Sequence, residues 1–241
     1  MGGFFGVVSA GSCVQDLFFG TDYHSHLGNQ RVGMMVWGEK GFKRFIHDIS
    51  NAQFRSKFQV DVDELKGSRG IGCISDTGDQ PLIVSSHLGT FGITTVGVIN
   101  NLGELSRNAF RSTRAHFAEI LGEGVNPTEM VASLISLEAN FADGIRSAQD
   151  KIQGSCSMLL LAKEGVYAAR DRYGRTPVII GQKSDGSLAA TFETCALDNL
   201  GFKVVRRLGP GEAVLLHERN GIQQILPPRK TMRMCAFLWI Y

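Results

Sequence analysis

The chain has 241 residues, of which 43% are hydrophobic and 20% are charged, and this is the composition of an ordinary globular protein. The formal net charge of +2 and the short, scattered basic pairs Arg206-Arg207 and Arg229-Lys230 exclude an obvious nucleic-acid-binding surface. No apolar run reaches the ~18 residues that a membrane-spanning helix needs, so we expect no membrane partner.

Five cysteines are present, an odd number at wide spacings. They form no CxxC pair and no Cys/His cluster with the spacing of a zinc site, so we expect no metal. Thiols of this kind are typical of a reducing compartment, and we expect a cytoplasmic protein. The cysteines are Cys13, Cys73, Cys156, Cys195 and Cys235.

Strands predominate in the first part of the chain, with one short helix predicted over 14–19 and ending near Gly20. Each predicted strand is an apolar, β-prone run bounded by turn residues. The run 38–41 indicates a hairpin turn, and 76–79 indicates the turn between the fourth and fifth strands. The predicted strands are 3–9, 32–37, 43–49, 70–75, 82–85 and 91–99.

Helical spacing follows these strands. Residues 102–121 are predicted as one helix. Residues 128–141 are predicted as a second helix, which starts after Asn126-Pro127 and is expected to resume over 145–151. The apolar anchors of the first helix are Leu105, Phe110, Phe117 and Leu121.

The last third of the chain predicts short strands at intervals of about ten residues, as in a meander. Strands, then helices, then strands are typical of an α+β domain in which helices pack on extended sheets. The predicted strands are 156–162, 165–170, 178–181, 188–191, 212–217 and 222–225.

Five segments in the right order resemble the N-terminal glutaminase half of the glutamine phosphoribosylpyrophosphate amidotransferases. The opening 1–6 is similar to Met-Cys-Gly-apolar-apolar-Gly, and 208–212 resembles a strand-leading Pro-Gly-Glu turn. Residues 169–178 resemble Ala-Arg-Asp-Pro-x-Gly-x-Arg-Pro-Leu, and 192–198 are similar to Ser-Glu-Thr-Cys-Ala-Phe-Asp. The last segment, 235–241, resembles Cys-x-Phe-Glu-Tyr-Ile-Tyr, which in the family introduces the phosphoribosyltransferase half.

The resemblance implies the N-terminal-nucleophile (Ntn) hydrolase fold, a four-layer αββα sandwich, as one domain over 1–241. It also implies two partners, a phosphoribosyltransferase half downstream of residue 241 and further copies of the chain in a homo-oligomer. No cofactor is expected. In the family, this half hydrolyses glutamine, and the ammonia is used by the other half to displace pyrophosphate from phosphoribosyl pyrophosphate in purine synthesis.

The nucleophile of the family is a cysteine directly after the initiator methionine, and Gly2 stands at that position here. Glycine keeps an amine as base but offers no thiol. Ser75 occupies the place of the family's carboxylate-binding arginine, and Val96 replaces the oxyanion-hole asparagine. Gly97 retains the backbone donor of the oxyanion hole.

Two further motifs of the family are incomplete. Pro127 takes the place of the aspartate that receives the substrate amine. In the His-Arg-Gly-Gln-Glu motif, His26 and Gly28 match, whereas Leu27 replaces the arginine. Because several polar groups are lost together, we interpret Gly2 as natural and the domain as a pseudoenzyme, unable to hydrolyse glutamine, that acts as a scaffold or regulatory domain.

The sequence leaves two alternative functions open. One is a small-molecule binding module on the Ntn scaffold, with Val96 and Leu27 lining a more apolar pocket. The other is an active glutamine amidotransferase.

Other residue patterns are favoured as structural. Ser12, His24 and Asp16 have the residue types of a hydrolase triad but lack a nucleophile elbow. Cys13 and Cys73 lie in apolar runs, where cysteine is usually inert. Asp171 is expected in a structural ion pair with its arginine neighbours, and His26 as a structural hydrogen-bonding group.

Overall fold

Two large antiparallel sheets face each other in the computed structural model, which describes residues 2–51, 53–76, 78–112, 117, 120–121 and 124–235. The strands are β1 (Gly2–Val8), β2 (Arg31–Gly38), β3 (Gly41–Asp48), β4 (Arg69–Ser75), β5 (Leu82–Ser86), β6 (Gly89–Ile99), β7 (Ile120–Leu121), β8 (Gly124–Val125), β9 (Gly154–Ala162), β10 (Gly165–Ala169), β11 (Ile179–Gln182), β12 (Leu188–Thr191), β13 (Lys203–Arg207), β14 (Ala213–His217) and β15 (Gly221–Leu226).

The seven-stranded sheet has the order β13-β11-β12-β1-β4-β2-β3, and the six-stranded sheet has the order β15-β14-β10-β9-β6-β5. Among the described residues, strands β7 and β8 pair only with each other. The helices are α1 (Val14–Asp22), α2 (Phe54–Phe58), α3 (Asp61–Glu64), α4 (Leu102–Ser112), α5 (Pro127–Ile135), α6 (Phe141–Lys151) and α7 (Thr194–Asn199).

Three apolar clusters separate four layers of secondary structure. The central cluster lies between the sheets and includes Phe4 and Met35 from one sheet and Leu159 and Val214 from the other. The second packs α4, α5 and α6 on the six-stranded sheet, and the third packs α1, α2 and α7 on the seven-stranded sheet. Alternate residues of β1 serve two of these cores, since Phe4 faces the other sheet and Phe5 faces the helices. The predicted α+β sandwich with an αββα arrangement is confirmed.

The predicted long helices are shorter than expected. The first ends at Ser112, and Ile120–Leu121 at its predicted end is a strand; residues 113–116 and 118–119 lie outside the described part. The prediction of one helix over 128–141 is wrong, because α5 ends at Ile135 and α6 begins at Phe141. The side chain of Asn140 accepts a hydrogen bond of 2.9 Å from the backbone N–H of Asp143, which starts a separate helix.

The last strands do not form one meander. Strands β11 and β12 cross to the seven-stranded sheet, whereas β9, β10, β14 and β15 belong to the other. Strand β13 and helix α7 were not predicted. Strands β4 and β5, which flank the predicted turn at 76–79, also lie in different sheets, so this segment connects the two layers. No helix among the described residues has the length and apolarity required to cross a membrane.

Candidate functional site

Gly2 is the first residue of β1 and is buried. It lies opposite Ser75, the last residue of β4, in the antiparallel register of the two strands. A Cβ atom at Gly2 would lie 2.3 Å from the backbone carbonyl oxygen of Ile74. Backbone atoms of a paired strand cannot move away cheaply, so this arrangement of β1 and β4 accommodates glycine and no larger residue.

Ser75 is buried where β4 ends, on the face of the strand that also carries Cys73. Its Oγ accepts a hydrogen bond of 3.4 Å from Nε2 of Gln80. A hydroxyl carries no charge with which to hold a carboxylate.

Val96 and Gly97 lie on β6, in the sheet that faces β1 and β4. The side chain of Val96 belongs to the apolar cluster between the sheets. Gly97 has φ of +146°, and a Cβ there would lie 1.9 Å from the carbonyl oxygen of Ser155. Both the backbone conformation and the close approach of β9 therefore require glycine at this position.

Pro127 is the first residue of α5, where a missing N–H leaves no helical hydrogen bond unmade. The side chain of Asn126 caps the helix by accepting a hydrogen bond of 2.9 Å from the N–H of Thr128. The start signal predicted from Asn126-Pro127 is confirmed. The local role of Pro127 is to begin the helix.

A buried hydrogen-bond network centred on Gln80 links three of these segments. Gln80 Oε1 accepts from Thr95 N at 2.7 Å and from Thr94 Oγ1 at 2.8 Å, while Nε2 donates to Ser75. The hydroxyls of Thr95 and Thr128 are 2.6 Å apart, which extends the network to α5. The structure thus brings Ser75, β6 and the start of α5 together around a residue that the sequence reasoning missed.

The segment with His26 and Leu27 forms a single 3₁₀ turn, Ser25–Leu27. His26 Nε2 lies 3.1 Å from a carboxylate oxygen of Glu193, at the protein surface. Leu27 packs against the opening strand, because a Cβ at Gly3 would lie 2.9 Å from Leu27 Cδ1. His26 is therefore held in a surface pair, and Leu27 is used in packing.

His24 is fully buried beside this turn. Its Nδ1 donates to the carbonyl oxygen of Gly20 at 2.7 Å, and its Nε2 accepts from Thr191 Oγ1 at 3.0 Å. Burial lowers the pKa of His24 to about 4, so the imidazole is neutral at pH 7. Asp16 is paired with the ammonium group of Lys183 at 2.6 Å. Neither His24 nor Asp16 is therefore engaged in a triad with Ser12.

The cysteines offer no replacement nucleophile in the interior. Burial raises the pKa of Cys13, Cys73 and Cys156 to about 12, and a thiol needs its thiolate form to attack. Cys195 is exposed, and partial burial together with the carboxylate of Glu193 raises the pKa of its thiol.

Asp171 is structural, but the ion pair expected for it is not what holds it. The buried carboxylate accepts hydrogen bonds of 3.1 Å from the N–H groups of Tyr173 and Thr176. Arg170 instead donates to backbone carbonyls, including Thr176 O at 2.7 Å, and Arg172 reaches Asp150. Asp171 therefore holds the turn through hydrogen bonds to its backbone.

Three surface clefts of about 250, 320 and 440 Å³ are formed by described residues, and none of the three is lined by Gly2, Ser75, Val96, Leu27 or Pro127. Among the residues that the structure describes, no group of three or more His, Cys, Asp or Glu side chains is arranged to hold a metal ion.

Residues 68–199, more than half of the chain, match the model of a family described as "Glutamine amidotransferase domain". Amidophosphoribosyltransferase 1, chloroplastic, of Arabidopsis thaliana is 30% identical over 193 residues, which cover 75% of this chain and 32% of the relative. Amidophosphoribosyltransferase of Staphylococcus aureus (strain MRSA252) is 24% identical over 253 residues, covering 99% of this chain and 49% of the relative.

The fold has a solved counterpart in glutamine phosphoribosylpyrophosphate (PRPP) amidotransferase from B. subtilis, complexed with ADP and GMP. The TM-score is 0.85 at 22% sequence identity, and the match covers 99% of this chain and 52% of that one. The chain thus spans between about a third and about half of the length of these relatives.

Proposed function

We propose that this chain, which belongs to the glutamine amidotransferase domain family, keeps the fold of that domain and has lost glutamine hydrolysis. The domain is related to amidophosphoribosyltransferase. The observation that carries the proposal is Gly2 in β1, since it has no side chain and the carbonyl oxygen of Ile74 occupies the space beside it. An acyl-enzyme cannot form at a residue without a nucleophilic side chain.

The surrounding positions support the same conclusion. Amide hydrolysis needs donors aimed at the developing oxyanion, and a zwitterionic substrate needs a cation and an anion to hold its two charged groups. Ser75 supplies a buried hydroxyl, Val96 an apolar side chain and Pro127 a helix start. None of these three side chains is charged, so none can form an ion pair with glutamine.

The remaining role that we assign to the domain is that of a scaffold or regulatory unit within an amidophosphoribosyltransferase-type protein. Residues 1–241 would form its glutaminase-like half. The other half would be a phosphoribosyltransferase that uses free ammonia, with this domain covering its reaction centre, and copies of the protein would associate as a homo-oligomer. The support for this arrangement is that the relatives are two to three times as long as the part that matches this chain.

The direct test is to incubate the purified protein with glutamine and measure glutamate and ammonia. We expect no release above the buffer blank, with a commercial glutaminase as the positive control for the assay. Release that a glutamine-analogue alkylating agent abolishes would show that the domain hydrolyses glutamine and would overturn the proposal.

A further inference from the structure

Three guanidinium groups surround the ring of Tyr173. Their carbon atoms lie 5.4 Å (Arg172), 5.3 Å (Arg175) and 4.7 Å (Arg233) from the ring centroid. Each is attracted to the ring, but the like charges repel one another. These four residues, here called the Tyr173 cluster, form a preorganised cationic surface.

The positive charge of this cluster is only partly balanced. Arg172 lies 3.7 Å from a carboxylate oxygen of Asp150. Among the described residues, no carboxylate lies within ion-pair distance of Arg175 or Arg233. Arg175 is held in place by a hydrogen bond to the carbonyl oxygen of Gly154. Two oriented cations are therefore available to an external anion.

Apolar side chains adjoin these cations. A cleft of about 250 Å³ is lined in part by Arg175, Pro177, Met232 and Met234. The two methionines are 48% and 60% exposed. Tyrosine, arginine and methionine are the residues enriched at protein–protein interfaces, and flexible methionines adapt to a partner's shape. This composition favours a protein surface over a small anion as the occupant.

The end of the described chain is fixed on the same surface. The N–H of Arg229 donates to Pro210 O at 2.7 Å, and the N–H of Arg233 donates to Tyr173 O at 2.9 Å. The guanidinium of Arg229 also reaches Asp150 Oδ1 at 2.7 Å. A polypeptide that continues from here would leave next to the Tyr173 cluster. A tethered partner meets such a surface at an effective concentration in the millimolar range.

We propose that the Tyr173 cluster, together with Met232 and Met234, is the docking surface for the second half of an amidophosphoribosyltransferase-type protein. That half contributes carboxylates to Arg175 and Arg233 and apolar side chains to the methionines. The inference rests on the proposed function only for the existence of a second half, and it does not depend on the loss of glutamine hydrolysis.

The test uses the full polypeptide that the gene encodes and follows backbone amide hydrogen exchange. In the double variant Arg175→Glu/Arg233→Glu, the new carboxylates repel the carboxylates of the second half. We therefore expect amide hydrogen exchange at 174–176 and 230–235 to become at least about tenfold faster than in the wild type. The matched control, Arg107→Glu/Arg219→Glu, makes the same charge change at exposed arginines elsewhere and should leave these amides unaffected.

A second variant, Met232→Ser/Met234→Ser, tests the same surface in case the charge-reversal variant does not fold. It changes no charge and alters exposed side chains only. It should give the same exchange pattern at smaller amplitude. A gene that encodes no second half, or equal exchange in the charge-reversal and control variants, overturns the inference. Glutamine turnover is measured on the same samples. Turnover would contradict only the proposed function, and unchanged hydrogen exchange would contradict only the docking surface.

Discussion

Gly2 and Ser75 lie directly opposite each other where β1 and β4 meet, and the carbonyl oxygen of Ile74 closes the space that a side chain on Gly2 would need. The resemblance to class II amidotransferases predicts a thiol and a carboxylate-binding arginine at these two positions. The chain places no side chain at the first and a buried hydroxyl at the second. Both the residue type at position 2 and the packing around it therefore leave no room for a nucleophilic side chain in this arrangement of β1 and β4.

Restoring a thiol by Gly2→Cys should not restore glutamine hydrolysis. The new Cβ would lie 2.3 Å from Ile74 O, so we expect a loss of about 1–3 kcal/mol in the free energy of unfolding. Gly2→Ala adds the same Cβ without the thiol and should lose a similar amount. Urea denaturation and glutamate release measure both effects.

The control for the Cβ effect is Gly11→Ala, because a Cβ at Gly11 meets no atom within 4 Å. Its stability should stay within about 0.5 kcal/mol of the wild type. Substantial glutamate release by Gly2→Cys would show that the positions assigned to Ser75, Val96 and Pro127 are wrong.

Replacing Gln80 by leucine should destabilise the sandwich strongly. The N–H of Thr95 and the hydroxyl of Thr94 would lose the acceptor that they share in a buried site. We expect a loss of about 2–4 kcal/mol in the free energy of unfolding, measured by urea denaturation. Gln59→Leu, at an exposed position, serves as the matched control. A loss no larger than that of the control would exclude a cross-linking role for Gln80.

Protonation of His24 should lower the free energy of unfolding in mildly acidic solution. Its pKa is about 4 in the folded protein and 6.5 in an ordinary environment, so the unfolded chain binds the proton first as the pH falls. The contribution of His24 to the free energy of unfolding is complete above pH 6.5 and is lost progressively between pH 6.5 and pH 4. The difference between the two pKa values corresponds to about 3 kcal/mol.

The measurement for His24 is the free energy of unfolding in urea at several pH values from 7.5 to 4.5. His24→Asn keeps a donor for the carbonyl of Gly20 but cannot titrate, so its profile should be flatter than that of the wild type. His87→Asn, at an exposed histidine, should retain the wild-type slope. An unchanged slope in His24→Asn would assign the acid sensitivity to other groups.

The thiols should separate into two classes under native alkylation at pH 7.5. Cys195 is exposed and Cys235 is half-buried, and we expect both to react with iodoacetamide. Cys13, Cys73 and Cys156 are buried with the pKa raised to about 12, and they should react only after unfolding. Mass spectrometry of peptides from native and urea-unfolded samples distinguishes the classes. Rapid native labelling of Cys73 would contradict its assignment as an inert, buried thiol.

Local patterns predicted most of the strands correctly and the helices less well. Strands β1, β2 and β4 lie within one residue of their predicted bounds, because a buried apolar run between turn residues is itself the signal. The interruption between α5 and α6 was missed because apolar spacing continues across it, and the capping by Asn140 is a polar signal. Strand β13 was missed because three of its five residues are charged and most of the strand is exposed.

The sequence by itself determined the fold class, the likeness to the amidotransferase family and the absence of a thiol at position 2, because each depends on residue type and local order. Only the tertiary structure decided which sheet each strand joins, how Gln80 connects β4 with β6, and why the backbone of Ile74 excludes a side chain at Gly2. These features depend on contacts between segments far apart in the chain, and local propensity carries no information about such contacts.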